Sequence, residues 1–263
     1  MIIDFHAHCF TDKIASAAMS SLSARTGGFR HFSDGTLDGL KRSLAVAGVD
    51  GAVVLNIATN PLKASVVNDY AAAINDPANH IYAFGSVHPD SPDVLEELER
   101  IKSLGLKGVK FQPAFQGFRA EEERMIPIYR QINKLGLITT FHCGEDLGFE
   151  DCYINPESLA HAMRYFTDVP VIAAHFGGYM LWRDVEKYLL NTSVYLDTSF
   201  SYSRLPMPIA RKIASSFGPK RILYGTDTPW TDMELELGFV RSIGFDEAGL
   251  DDVLGGNAMR LLG

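Results

Sequence analysis

The chain has 263 residues, 46% of them apolar, which is enough for one sizeable core. A formal net charge of −8 argues against a nucleic-acid surface, because phosphate backbones reward basic faces; it leaves room for a small anionic substrate in a locally positive pocket. No apolar run is long enough to span a bilayer, and Met1-Ile2-Ile3-Asp4-Phe5-His6 lacks the basic and long apolar regions of a secretion signal, so a cytoplasmic location with no membrane partner is expected.

Short β-branched or apolar runs alternate with longer amphipathic segments. The first strand is expected over Ile2–His8. A long connection follows, from Cys9 to about Ser33, with a short helix near Ile14–Leu22. Long βα connections often carry function, so a partial lid and a plain surface excursion are both open readings. Leu37, Leu40, Leu44 and Val46–Ala47 mark a helix, Gly51–Ile57 a strand and Ala64–Ile74 a helix. The strand Ile81–Val87 precedes a helix over Pro92–Leu104, where Val94, Leu95, Leu98 and Ile101 keep helical spacing. Strands at Gly108–Phe111, Leu137–His142, Val171–His175, Val194–Asp197 and Arg221–Gly225 then alternate with helices at Met125–Leu135, Pro156–Phe166, Met180–Leu190, Ile209–Phe217 and Leu235–Ile243. Gly48, Gly105 and Gly136 stand where helices should stop.

There is no repeat of solenoid period and no Pro- or Ser-rich linker. About eight β-then-α units in a chain of this length predict an α/β fold, a single-domain (β/α)₈ TIM barrel. The structural rival is an open doubly wound sheet. It usually has fewer strands and often a Gly-rich phosphate loop after the first one, where this chain has His6-Ala7-His8.

Residues i and i+2 of a strand share a face, so His6 and His8 aim together into the barrel. His142 and His175 end the fifth and sixth strands, and Asp227 follows the eighth. Taken singly, each histidine reads as a core imidazole bonded to backbone, and Asp227 as a turn residue in Thr226-Asp227-Thr228-Pro229. Taken together, they end strands at the face where barrel active sites converge, and such groups are costly to bury unless paired or metal-bound. Barrel closure sets strand eight beside strand one, so Asp227 can face His6 and His8. Imidazole and carboxylate donors suit zinc, and also manganese, iron or cobalt. An ion with three or four protein ligands keeps a place for water and lowers its pKa to about 7. Asp227 is the candidate to take that proton, and His175 to orient the water or stabilise developing negative charge.

Lys110 ends the fourth strand and has three readings. It is a structural lysine, a cation for an anionic substrate group, or a carboxylated amine bridging two metals, in which case His175 joins His142 on a second ion. One ion is expected rather than two. Glu145 and Asp146 are within loop reach of the site, Arg204 on the loop after the seventh strand is a candidate to pair a substrate carboxylate, Trp230 and Phe10 suit the wall, and His88 reads best as a turn residue. Cys9, Cys143 and Cys152 read as free thiols. The first two alternate away from the histidines they follow.

The ordered set Ile3-Asp4-Phe5-His6-Ala7-His8, Gly108-Val109-Lys110-Phe111-Gln112-Pro113, His142, Ala174-His175-Phe176-Gly177-Gly178, Tyr195-Leu196-Asp197-Thr198-Ser199, Tyr224-Gly225-Thr226-Asp227-Thr228-Pro229 and Gly256-Asn257-Ala258 resembles the amidohydrolase superfamily. Within it, the chain looks most like the amidohydrolase-related branch, which holds metal-dependent hydrolases and non-oxidative decarboxylases of unsaturated or aromatic acids. The resemblance runs nearly the whole chain. It implies a mononuclear site with His6, His8, His142 and Asp227 as metal ligands and His175 beside the metal-bound water. TatD-like deoxyribonucleases share a related pattern but typically place a glutamate near where Lys110 stands. That departure and the acidic charge count against a nuclease. The expectation is a hydrolase of a small lactone, ester or amide that uses one divalent ion, zinc first. A non-oxidative decarboxylase is the alternative, and a homodimer is compatible with such a barrel. A barrel that has lost turnover is the third reading, and a complete ligand set gives it no support.

Overall fold

The computed structural model describes residues 1–28 and 30–263. Phe29, inside the long connection after the first strand, lies outside the described residues. Eight strands run in order: β1 Ile3–Ala7, β2 Gly51–Leu55, β3 Ile81–Phe84, β4 Gly108–Phe111, β5 Ile138–Phe141, β6 Val171–Ala173, β7 Tyr195–Asp197 and β8 Ile222–Leu223. All ladder pairings are parallel, in two runs, β1-β2-β3 and β4-β5-β6-β7-β8.

Backbone hydrogen bonds join the two runs at both seams. Gly85 N–H donates to the Gly108 carbonyl and Lys110 N–H to the Gly85 carbonyl, both at 2.9 Å. On the other side Phe5 N–H donates to Tyr224 O (2.8 Å), Asp227 N–H to His6 O (2.7 Å) and His8 N–H to Thr228 O (2.8 Å). The ring therefore closes, and the fold is the (β/α)₈ barrel that the alternation predicts.

The helices are α1 Asp12–Arg25, α2 Leu37–Ala47, α3 Ala64–Ile74, α4 Val94–Ser103, α5 Pro113–Gln116, α6 Ile126–Leu135, α7 Pro156–Ala162, α8 Trp182–Leu189, α9 Met207–Phe217, α10 Met233–Arg241, α11 Glu247–Asp251 and α12 Asn257–Leu262. Their boundaries follow local chemistry. The Thr36 side chain accepts from Gly39 N–H to start α2, and Gly48 ends it at φ 66°, a left-handed conformation that costs glycine little. None of these helices is long and apolar enough to cross a membrane.

Two apolar layers result from strand alternation. Val54, Ala83, Val109, Phe141, Ala173, Leu196 and Ile222 face outward against helix residues such as Leu98, Ile132, Val185 and Ala210. Ile3, Phe5, Val53, Leu55, Phe84, Ile138, Ile172 and Leu223 fill the barrel, and Ala258 and Leu262 of α12 pack against them. Strand β1 departs from simple alternation. Its pairing runs Ile3 to Gly51 and Asp4 to Ala52, then Ala7 to Val54, so three steps on β1 oppose two on β2. This is a β-bulge. It lets Phe5 enter the barrel core while His6 also points inward, directly after it.

Observed strands start close to where the sequence places them; β4 and β7 also end where expected, at Phe111 and Asp197, and the other six stop sooner. β5 ends at Phe141 and β6 at Ala173, so His142 and His175 stand just past their strands. His175 and Phe176 take φ 59° and 53°, left-handed values that turn the chain off the sheet direction. Helices α5, α11 and α12 have no counterpart among the predicted elements.

Candidate metal centre

At the C-terminal mouth, the carboxylate of Asp227 meets the first-strand histidines. Asp227 Oδ1 lies 3.0 Å from His8 Nε2 and 3.5 Å from His6 Nε2. Each imidazole is fixed through its other nitrogen. His6 Nδ1–H donates to Asp197 Oδ2 at 2.9 Å, and His8 Nδ1–H donates to the Leu55 carbonyl at 2.8 Å. Both Nε2 lone pairs therefore aim at the Asp227 carboxylate. With this tautomer the three acceptors facing one another suit a cation between them. Two ligands each about 2.1 Å from an ion stand roughly 3 to 3.5 Å apart, which is the spacing seen here. His6, His8 and Asp227 form one of the two described clusters able to hold a metal ion; His6, His175 and Asp197 form the other.

His142 is not in either cluster. Its Nε2–H donates to the Glu145 carbonyl at 3.1 Å, which leaves Nδ1 directed at His175 Nε2, 3.0 Å away. His175 is held from behind. Its Nδ1 lies 2.9 Å from Ser199 Oγ, its backbone N–H donates to Asp197 Oδ1 (3.1 Å), and Trp182 Nε1–H donates to its carbonyl (3.0 Å). Ser199 Oγ–H in turn donates to Asp197 Oδ1 (2.5 Å) and lies 3.0 Å from His6 Nδ1. Asp197 and Ser199 thus orient two imidazoles at once. The residues alone did not single them out, because the partners they hold sit 22 to 193 positions away in sequence. Their only signal is a carboxylate ending an otherwise buried strand, the signal that did identify Asp227.

Lys110 extends from β4 into the barrel and is completely buried, with Nζ 3.4 Å from His6 Nε2. Burial pushes its ammonium down to about 8, against the pull of Asp197, Asp227 and Asp146. Among the described residues no carboxylate is within ion-pairing distance of it. Burial also holds His6 and His175 well below the ordinary imidazole range, assisted by Lys110 for His6 and by His142 for His175. Burial pushes the Asp227 carboxyl up, but His6, His8 and Lys110 outweigh it and keep it below its usual value. Burial thus disfavours the charged forms of His6, His142 and His175, and with the Asp227 carboxylate they form a donor set suited to a cation.

The amidohydrolase family profile matches residues 3–263. The chain belongs to the amidohydrolase family. No curated protein is matched by it. Among solved structures, this amidohydrolase is similar to an uncharacterised TIM-barrel protein of Bordetella bronchiseptica, at 20% identity and TM-score 0.82, over 99% of this chain and 98% of that one. It is also similar to 5-carboxyvanillate decarboxylase of Sphingomonas paucimobilis (16%, TM-score 0.73, 99% and 98%). A third is the dihydroxybenzoic acid decarboxylase of Polaromonas sp. JS666 with bound manganese and 2-nitroresorcinol (17%, TM-score 0.73, 99% and 96%).

The surroundings of the mouth follow from its loops. α1 crosses from the end of β1 to the loops after β4 and β5. There the Arg25 guanidinium lies 5.2 Å from the ring centres of both Phe115 and Phe149. The connection after β1 thus packs against the loops after β4 and β5. Asp146 accepts from Gln112 Nε2 at 2.7 Å and stands 4.0 Å from His142 Nε2, whereas Glu145 contributes its carbonyl. His88 Nδ1 accepts from Asp90 N–H (3.1 Å) in a turn, and Trp230 packs against the outer core. Cys9 meets the Tyr70 hydroxyl (3.4 Å) and Cys143 joins the outer core, so neither thiol faces the centre.

Proposed function

We propose that this amidohydrolase is a metal-dependent non-oxidative decarboxylase of an aromatic or unsaturated carboxylic acid. The carrying observation is Lys110, a wholly buried ammonium beside the histidine cluster with no carboxylate of its own to pair with. A buried cation of that kind is suited to an anionic substrate group. Hydrolysis of a lactone, ester or amide, the reaction that the sequence alone put first, calls for no such cation. The names of the similar solved structures lean the same way, since two of the three described above are decarboxylases.

His6, His8 and Asp227 are assigned as ligands of one divalent ion, with His142 as the fourth through Nδ1 and zinc as the first choice of metal. When bound, the ion supplies a fixed positive charge that orients a carboxylate and steadies negative charge developing beside it. Lys110 holds the substrate carboxylate in the barrel mouth. His175, fixed by Ser199 and Asp197, presents Nε2 to the reacting group. The C–C bond to the carboxylate breaks, carbon dioxide leaves, and the electron pair stays on the substrate carbon. That carbon takes a proton drawn from water, and Asp227, a carboxylate at rest, is assigned its relay from the water to the carbon.

A panel of hydroxybenzoates and unsaturated acids, with carbon dioxide release followed beside lactone, ester and amide hydrolysis, tests the assignment. Carbon dioxide release from at least one acid is expected. Hydrolysis without it would return the chain to the hydrolase reading. Metal analysis should find about one ion per chain, zinc before manganese; two would favour a carboxylated Lys110 bridging them.

A further inference from the structure

Beyond the metal centre, one wall of the mouth is built from rings and ends in a cation. Phe200 lies edge-on to His175 at 6.2 Å, and Tyr179 packs 5.4 Å from Phe200 and 6.3 Å from His175. The Arg204 guanidinium stacks 3.8 Å above the Phe200 ring centre, donates from Nη1 to Tyr202 O (3.3 Å) and hydrogen-bonds the Tyr179 hydroxyl. We propose that Arg204 and this ring wall form a second, anion-binding subsite, which selects planar acids carrying a further negative group away from the reacting carboxylate.

The loop after β7 is constructed to hold Arg204 in place. Phe200 and Ser203 take left-handed φ values of 56° and 62°. Glu236 of α10 is fully buried, and its Oε2 accepts from Ser201 N–H (3.2 Å) and Tyr202 N–H (3.0 Å). Ser201 Oγ–H donates to the carbonyl of Ser199, the residue whose hydroxyl fixes His175. Arg204 is therefore tied through a short, rigid segment to the reacting centre. A guanidinium over a ring face offers the planar, forked donors that can grip a carboxylate with two bonds. Phe200 stands between the two, its ring centre 6.2 Å from that of His175 and 3.8 Å from the Arg204 guanidinium carbon. Charge fixes the direction. The β5 side of the mouth carries Asp146 and repels an anion, while the β7 side carries Arg204.

This inference rests on the decarboxylase reading only in bringing a carboxylate to the centre, and its test needs no turnover. Calorimetric binding of isophthalate, terephthalate and benzoate to the zinc-loaded protein is the measurement. At least one dicarboxylate should bind about tenfold tighter than benzoate, as a charge-assisted bidentate contact allows. Arg204→Gln should erase most of that advantage, and Arg204→Lys should keep part of it, because a point charge lacks the planar fork. Equal affinities for all three acids, or a loss that is the same for mono- and dicarboxylates, would overturn the subsite. Should Arg204→Gln fold poorly, an undiminished preference in Arg204→Lys together with dicarboxylate binding that added sulfate does not weaken would overturn it too. Carbon dioxide release is read separately. Turnover of monocarboxylates with no dicarboxylate preference sinks the subsite and spares the reaction; the reverse result does the opposite.

Discussion

A histidine becomes a metal ligand when its second nitrogen has something better to do than accept a proton. His6 and His8 show this with different partners, the Asp197 carboxylate and the Leu55 carbonyl, each taking an Nδ1 proton and leaving Nε2 with a lone pair. Asp227 closes the set, and His8→Ala and Asp227→Asn should each abolish turnover while circular dichroism still reports a folded barrel. Undiminished activity in either variant would remove the assignment. Asp197 makes a sharper case because it touches no substrate. Asp197→Asn should weaken metal binding roughly 10- to 100-fold in a chelator-competition titration, the usual cost of losing such an orienting carboxylate. Unchanged affinity would mean that His6 is held by the fold alone. At this scale the sequence was partly legible. His6, His8 and Asp227 are visible as ligand-grade residues at strand ends. The role of Ser199 is not, since a serine after a strand has no marker until the strands on either side are folded around it.

The elements explain why those side chains converge. Regular alternation along β1 would put Phe5 and His6 on opposite faces; the bulge between Asp4 and Ala7 lets both serve the interior. Asp4 locks the bulge by accepting from His6 N–H (3.0 Å), Thr226 N–H (2.9 Å) and the Thr226 hydroxyl (2.5 Å). Gly225, following β8, leaves the space that His6 occupies: a Cβ there would stand 3.0 Å from His6 Cβ and 3.5 Å from Asp197 Cβ. Gly225→Ala should therefore shift His6 by a few tenths of an ångström and lower metal affinity more than it lowers thermal stability. The opposite ranking would show the glycine to be a packing residue only.

Helix α10 carries a pH-dependent contribution. Burial pushes the Glu236 carboxyl from its ordinary 4.5 up to about 8, against the Ser201 and Tyr202 amides and Arg204, with Asp227 adding to the rise. A carboxyl raised on folding binds a proton in the native state, so its stabilising share is complete below 4.5 and is lost as pH rises through about 8. Denaturant titrations should show stability falling across that window by at most about 1.4 kcal/mol per pH unit, and Glu236→Gln should flatten the slope. A slope unchanged by the substitution would place its source elsewhere. Strand and helix starts were readable because β-branched runs and helical spacing are local signals. The ends of β4 and β7 were readable too, but that of β6 was not, because His175 and Phe176 leave the sheet by a left-handed turn fixed by contacts with Asp197 and Trp182. Helix α12 escaped notice for a similar reason: it is short, follows Gly255-Gly256, and is defined by packing on the barrel core.

Across the whole molecule, the metal candidates straddle the seam where the barrel closes. His6 and His8 belong to the first strand and its end, and Asp227 to the segment after the last strand. Asp227 N–H to His6 O and His8 N–H to Thr228 O are among the few backbone bonds that join them. β8 is only two residues long, so this seam has less ladder than the β1–β2 pairing beside it. An ion shared by His6, His8 and Asp227 would cross-link the first and last strands of the chain. Ligation by the native state alone stabilises by about 2.7 kcal/mol at a hundredfold excess over Kd, roughly 5 to 10 °C in Tm for a domain of this size. Chelation should produce a loss of that order, and hydrogen exchange should rise first in β1 and around residues 224–228, while β4 and β5 stay protected. A uniform rise around the barrel, or no change in Tm on chelation, would mean that the three side chains do not share an ion and that the seam is held by its backbone bonds alone.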